Sequence, residues 1–205
     1  PILFGILAAS LLSLHAQAAV DSSWDFRSSS LGVSSGTWTS TATGGSYSFL
    51  GSDSSTTVTI SGWTANNDNN SGDNTVGTIQ NRDSKLIHYG GGLGMNKSSG
   101  DDHEIDNFYY DEFVVFEFSE PVSIASYSFG WVDTDADSTL LAYTDDPEGP
   151  NTKAEVGLTN SDYVGDRVAK GWTAIGHSPG NDTAPQTIGP SGDTANVFSS
   201  YWIIG

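Results

Sequence analysis

Cysteine is absent from this chain, so no disulfide can crosslink the fold and no thiol chemistry is available to it. Positive charge is scarce as well: seven Lys and Arg residues stand against 25 Asp and Glu residues, for a formal net charge of −18. A surface of that sign repels nucleic acid and anionic membranes, and it attracts divalent cations. The stability of the protein must therefore come from its core, with a bound ion as a further source.

Sustained apolar periodicity of 3.6 residues is also missing after residue 20. Short runs instead alternate apolar and polar residues and are rich in β-branched and aromatic types, as a half-buried antiparallel sheet requires. The clearest predicted strand is 113–118, and the others are 46–50, 57–63, 75–80, 84–89, 122–131, 138–143, 168–175 and 197–204. Turn-rich stretches separate them at 66–73, 90–102, 145–151 and 178–192. This spacing predicts an all-β fold, an antiparallel β-sandwich that is jelly-roll-like, in a single domain over residues 20–205.

The first residues of the chain resemble a secretory signal. Pro1–Leu14 is an uncharged apolar run, and the small residues of Ala16-Gln17-Ala18 after it match a signal-peptidase site. The run is too short for a transmembrane helix, which needs about 20 apolar residues. We interpret residues 1–19 as a signal segment whose start is incomplete, and we expect a secreted mature chain that begins near Ala19 or Val20. The alternative is a buried N-terminal helix that stays on the protein.

The last residues, Tyr201–Ile204, are apolar and strand-prone. An exposed hydrophobic edge strand is a template for pairing with another chain. We therefore expect this strand either to be completed by a neighbouring subunit or to be followed by further native sequence. The second interpretation, a domain truncated at its C-terminus, is the favoured one.

Six carboxylates crowd into twelve residues, and a calcium site is one explanation for them. They are Asp101, Asp102, Glu104, Asp106, Asp111 and Glu112. Crowded carboxylates repel one another, which raises their pKa values unless a cation lies among them. Calcium takes six to eight oxygen ligands, and Glu104 and Asp106 share one side of an extended backbone. The segment predicts a Ca²⁺ site, and the alternative is a solvated acidic loop.

A second acidic group, Asp133, Asp135 and Asp137, has the alternate spacing with which an EF-hand loop opens. The match then ends, because the sixth loop position is Ser138 rather than Gly and the twelfth is Thr144 rather than Glu. A turn between strands, in which Asp bonds its own backbone, is the favoured interpretation. A calcium turn of another kind is the alternative.

Patterns typical of catalysis are weak. His88, His103 and His177 show no zinc spacing, and no nucleophile-elbow motif is present. The glycines at 90–94 precede Lys97, but Asn96 replaces the glycine that a phosphate-binding loop needs, so we assign these glycines to a tight turn or bulge. The chain is therefore expected not to be an enzyme.

Four tryptophans, Trp38, Trp63, Trp131 and Trp172, are candidates for a sugar-stacking platform. In a strand-rich domain without disulfides, we expect them in the core instead.

Three groups of residues carry a family resemblance. They are Gly92-Leu93-Gly94-Met95 with 104–107; 112–118 with Pro121-Val122 and 127–131; and 140–144 with 200–205. In these stretches the chain resembles the surface proteins that exosortase systems sort in Gram-negative bacteria through a C-terminal Pro-Glu-Pro (PEP-CTERM) tail. That tail does not occur within residues 1–205. The resemblance implies export, a β-rich domain and a place on the cell surface or in the exopolysaccharide matrix, and it implies no known activity.

These observations together predict a non-enzymatic, secreted structural protein of the cell surface or of the extracellular matrix of a biofilm. Two alternatives stay open. One is a subunit of an extracellular filament assembled by strand donation. The other is a carbohydrate-binding module, which would show an exposed row of Trp and Tyr on one sheet face. The expected partners are further copies of the chain or an exopolysaccharide, without nucleic acid and without membrane insertion of the mature domain.

Overall fold

In a computed structural model of the protein, the residues described are 22–27, 46–66, 78–80, 85–88, 92–96, 105, 110–128, 138–145, 171–178, 186–187 and 197–205. The strands within them are β1 (Ser46–Leu50), β2 (Thr57–Asn66), β3 (Thr78–Gln80), β4 (Lys85–His88), β5 (Leu93–Asn96), β6 (Tyr110–Val122), β7 (Ser126–Tyr127), β8 (Ser138–Tyr143), β9 (Trp172–Ser178), β10 (Gln186–Thr187) and β11 (Ser199–Ile204). The strands pair antiparallel throughout. The predicted all-β antiparallel fold is confirmed.

One large sheet organises the molecule, in the order β1-β2-β6-β11-β8-β9. The short strand β3 pairs with the second half of β2, from Thr64 to Asn66, beyond the part of β2 that pairs with β1. The longest strand, β6, has 13 residues and pairs with β2 from Val58 to Asn66. Two small ribbons, β4–β5 and β7–β10, complete the described strands.

The last strand lies in the middle of the large sheet, which corrects the expectation of an exposed edge. Trp202 faces Phe116 of β6 on one side and Ala142 of β8 on the other. Tyr201 and Trp202 are each only 1% exposed. The expectation was wrong because an apolar terminal run shows that a strand must be buried, but not how many neighbours it pairs with. Trp202, Ile203 and Ile204 are thus paired on both sides, and the filament alternative stays a prediction.

One face of the large sheet is covered by other described elements, and we call it the hairpin face. The β4–β5 hairpin packs on it through Leu86 and Met95, which are both buried. Gly62 of β2 permits this close approach, because a Cβ at Gly62 would lie 3.2 Å from the Met95 Cε atom. The sheet residues of this core are Val58, Ile60, Val114, Phe116, Phe118, Leu140, Ala142, Ile175 and Trp202. This is the layered packing of the predicted β-sandwich.

The segment 22–27 and the β7–β10 ribbon extend the same layer. The Trp24 ring meets the Phe118 ring edge-on with centroids 5.1 Å apart, and Phe26 meets Phe49 in the same way at 5.4 Å. Tyr127 packs against this core, and its hydroxyl lies 2.6 Å from that of Ser138. Aromatic contacts of this kind add about 0.5–1.5 kcal/mol each to the burial of their surface.

The other face of the sheet, which we call the opposite face, carries a second buried cluster. Its members are Trp63, Phe113, Val115, Tyr143, Trp172, Tyr201 and Ile203. Tyr143 and Trp172 are direct cross-strand partners whose rings meet edge-on at 5.7 Å. Because successive residues of a strand alternate between faces, β6 supplies Val114 and Phe116 to one core and Phe113 and Val115 to the other.

Gly171 is a position where the backbone requires glycine. Its φ is +85°, and its carbonyl accepts a hydrogen bond from the backbone N–H of Thr144 at 2.8 Å. A Cβ there would overlap the Cβ of Asp145 and lie 3.1 Å from the Tyr143 Cε2 atom. We expect Gly171→Ala to lower the free energy of unfolding by about 1–3 kcal/mol, since strain at such positions has that size. Urea unfolding would measure the loss, and a Gly171→Ala midpoint equal to that of the wild type would contradict the expectation.

The predicted signal segment, residues 1–19, lies outside the described residues. Within the part of the chain that the structure describes, no helix is long and apolar enough to cross a membrane.

Candidate functional site

Of the nine acidic residues predicted as calcium ligands, two lie within the described structure. Asp111 and Glu112 stand near the start of β6, where their backbones are opposite Ala65 and Thr64 of β2. The other seven lie outside the described residues: Asp101, Asp102, Glu104, Asp106, Asp133, Asp135 and Asp137. Among the described His, Asp and Glu residues, no three are grouped as metal ligands. The Ca²⁺ site thus stays a prediction.

The described tryptophans lie in the core. Trp63 is 3% exposed and Trp172 is 2% exposed, both within the opposite-face cluster. The Trp63 Nε1–H donates a 2.8 Å hydrogen bond to the Ser61 hydroxyl, which is also buried. Trp38 and Trp131 lie outside the described residues. For Trp63 and Trp172 the assignment to the core is confirmed, and neither can stack on a sugar at the surface.

Of the glycines at 90–94, Gly92 and Gly94 lie within the described residues. Gly92, with a φ of +143°, immediately precedes β5 in the β4–β5 hairpin. For Gly92 this agrees with the assignment to a tight turn or bulge, whereas Gly94 lies within β5. Leu93–Asn96 is nevertheless a strand, where the sequence favoured a continuous turn-rich stretch, because Met95 gains a buried place against the sheet.

Polar side chains gather on the opposite face at the β1 side of the sheet. Ser48, Thr59, Glu117 and Tyr201 are cross-strand neighbours in β1, β2, β6 and β11, and so form one row across four strands. The hydroxyls of Ser48 and Thr59 lie 2.8 Å apart. Cβ atoms of such partners are about 4.5–5.5 Å apart, so the row is a continuous polar strip that ends at a buried aromatic ring.

The strip borders a pocket of about 160 Å³. Its lining residues are Thr57, Thr59, Glu117, Phe118, Ser119, Ser200 and Tyr201. The Ser119 hydroxyl also accepts a 3.0 Å hydrogen bond from the backbone N–H of Thr57, which ties the two strands together at the pocket wall. The lining residues thus include one acidic residue, four residues with aliphatic hydroxyls and two aromatic residues.

An irregularity in strand pairing lies beside this pocket. Ser199 faces Val122 while Tyr201 faces Glu117, so β6 places four residues between partners where β11 places one. The Ser199 hydroxyl fills the gap in the ladder, accepting a 3.0 Å bond from the Tyr201 N–H and donating a 2.9 Å bond to the Tyr201 carbonyl. Extra residues in one strand bend it away from its neighbour, and such bulges are common beside functional sites.

Sequence reasoning missed the pocket residues, although a signal for them exists. In the strand 113–118, strict alternation places Glu117 on the same face as Phe113 and Val115, as an isolated charge among apolar positions. Thr57 and Thr59 alternate in the same way with Val58 and Ile60. Alternation alone could have marked each of these residues as unusual, but it could not have predicted that they lie together in the folded protein.

The turn between β1 and β2 is organised by a single carboxylate. Asp53 accepts hydrogen bonds from the Thr56 hydroxyl at 2.6 Å, the Ser55 hydroxyl at 2.8 Å and the Ser55 N–H at 3.1 Å. These bonds, above all the one from the Thr56 hydroxyl, hold the pKa of Asp53 well below its usual range. This geometry is a structural Asx-type turn.

The lowered pKa of Asp53 predicts a pH dependence of stability. The folded pKa is below the unfolded value of about 3.9, so the stabilisation is present above that value and is lost as the pH falls through the folded pKa. We expect Asp53→Asn to lower the melting temperature at pH 7 and to flatten its decline below pH 4. Parallel melting curves of Asp53→Asn and wild type from pH 7 to pH 2 would contradict this.

Comparison with known proteins gives no relative for this chain: no protein-family model, no characterised protein and no solved structure matches it.

Proposed function

We propose that this chain is a non-enzymatic, secreted structural protein of the cell surface or extracellular matrix. The proposal rests on the hydrogen bonds that polar side chains make within the sheet and its turns. Ser61, Ser199 and Asp53 are each engaged in holding strands or turns, and each face of the large sheet carries a buried apolar cluster. Such a sheet is a self-supporting module, which suits a cysteine-free protein outside the cell.

Two features of the sequence support this location. The apolar run with its Ala-x-Ala exit favours export, and the net charge of −18 keeps an extracellular protein soluble. The resemblance to exosortase-sorted proteins favours the surface or the exopolysaccharide matrix in particular.

The experiment is fractionation of cells that express the chain with its native flanking sequence. An antibody raised against the purified domain should detect it in the medium or matrix, or in a protease-sensitive form on intact cells. The double variant Leu11→Arg, Leu12→Arg, which charges the apolar run, is the control and should remain in the cytoplasm. Wild-type protein confined to the cytoplasm would overturn the proposal.

A carbohydrate-binding role is the second candidate. It is favoured by the pocket at Glu117, whose lining residues include one acidic residue and four hydroxyl residues, rather than by any tryptophan platform.

Calcium binding by the acidic segment belongs to the same proposal. A ligand that binds only the folded state stabilises it by about 2.7 kcal/mol at roughly a hundredfold excess over Kd. In a domain of this size that corresponds to a rise in Tm of about 5–10 °C. We expect millimolar Ca²⁺ to produce this rise, Asp106→Ala to reduce it, and the charge-matched control Glu120→Ala to preserve it. A Tm that is the same with calcium and with a chelator would contradict the predicted calcium site.

A further inference from the structure

The pocket beside Glu117 combines features that suit a small, hydroxyl-rich ligand. Its residues come from three adjacent strands, β2, β6 and β11. The cross-strand pairs Thr59–Glu117 and Glu117–Tyr201 are among the lining residues. A site built on paired strands is held more rigidly than one built on loops. Glu117 is partly exposed.

The size of the pocket limits what it can hold. The pocket has a volume of about 160 Å³. One sugar ring has this size, whereas a drug-sized ligand needs a pocket of about 300 Å³ or more.

The chemistry of the lining selects among ligands of that size. Thr57, Thr59 and Ser119 each carry a hydroxyl that can both donate and accept, whereas the carboxylate of Glu117 accepts only. A sugar hydroxyl satisfies both kinds of group at once, and its bond to the carboxylate is charge-assisted. An anionic sugar is disfavoured by Glu117 and by the net charge of −18.

We propose that the pocket lined by Thr57, Thr59, Glu117 and Ser119 binds one residue of a neutral polysaccharide. This proposal rests on the second candidate function, carbohydrate binding, and deepens it by naming the binding residues and the chemical class of the ligand; it is separate from the structural role proposed first. It also stands apart from that role in testing, because binding is measured on the purified protein and location is measured in cells.

The test is affinity electrophoresis of the purified protein in native gels that contain dextran, a β-1,3-glucan or a galactomannan. At least one of these neutral polymers should retard the protein, and alginate, which is anionic, should not. Glu117→Gln should weaken the retardation about 10- to 100-fold in apparent Kd, as expected for loss of a hydrogen bond to a charged group. Thr59→Val, which replaces a hydroxyl by a methyl of similar size, should weaken it about 2- to 10-fold.

Glu120→Gln is the matched control, because it makes the same charge change in the same strand at a residue that does not line the pocket. It should keep the wild-type affinity, and circular dichroism should show that all variants are folded. Three results would overturn the proposal: no retardation by any of the three neutral polymers, equal retardation by alginate, or equal weakening by Glu117→Gln and Glu120→Gln.

Discussion

Removal of β11 is expected to abolish the folded domain rather than to trim one edge of it. In the large sheet β11 is the link between β6 and β8, which pair with opposite sides of it. Its loss leaves two separate groups of strands. It also exposes both buried clusters, because Trp202 belongs to the cluster on the hairpin face and Ile203 to the cluster on the opposite face. A chain that ends at Phe198 should lose near-ultraviolet circular dichroism and cooperative unfolding in urea.

A rescue experiment tests whether the shortened chain fails to fold because β11 is missing. A synthetic peptide of residues 197–205, added in trans at sufficient concentration, should restore the near-ultraviolet circular dichroism of the shortened chain. The peptide would supply β11 to the space between β6 and β8. A shortened chain that still unfolds cooperatively at the wild-type midpoint would show that β11 is peripheral.

Trp202→Ala is expected to lower the free energy of unfolding by about 3–5 kcal/mol, the cost typical of removing a large buried aromatic side chain. Trp202 is 1% exposed, and its Nε1–H donates a 2.9 Å hydrogen bond to the Ser199 carbonyl, so the substitution removes both packing and a buried bond. Because the total free energy of unfolding of a single domain is about 5–15 kcal/mol, a loss of this size removes a large part of the stability of the fold. Urea unfolding monitored by far-ultraviolet circular dichroism would measure it.

Two further variants separate packing from general sensitivity to substitution. Trp202→Phe keeps an aromatic ring in the core and should cost clearly less than Trp202→Ala. Leu50→Ala, at a side chain that is 59% exposed, should change stability by no more than about 0.5 kcal/mol. Equal losses from Trp202→Ala and Leu50→Ala would contradict the central position of β11.

Strands with strong alternation were predictable from sequence. The prediction of 138–143 matches β8, Ser138–Tyr143, residue for residue, and 46–50 matches β1. In β1 polar and aromatic residues alternate from Ser46 to Phe49, whereas β8 is marked by the apolar run Leu140–Tyr143. The strand β5 was missed because two glycines surround Leu93 and leave little alternation to detect.

The candidate pocket was not predictable in the same way. Thr59 precedes Glu117 by 58 residues, and Tyr201 follows it by 84. Their meeting depends on the register of β2, β6 and β11, and on the irregularity between Ser199 and Tyr201. Register is set by side-chain packing across strands and by bulges, which no local pattern encodes.

By itself, the sequence determined that this protein is built of strands, that disulfides do not stabilise it, and that its surface is strongly acidic. These properties follow from composition and from the period of two. Only the tertiary structure decided that the apolar run 201–204 is a central strand, and that Glu117 stands in a hydroxyl-lined pocket. The physical reason is that alternation tells which residues share a face of a strand, whereas the choice of neighbouring strands is made by burial across the whole sheet.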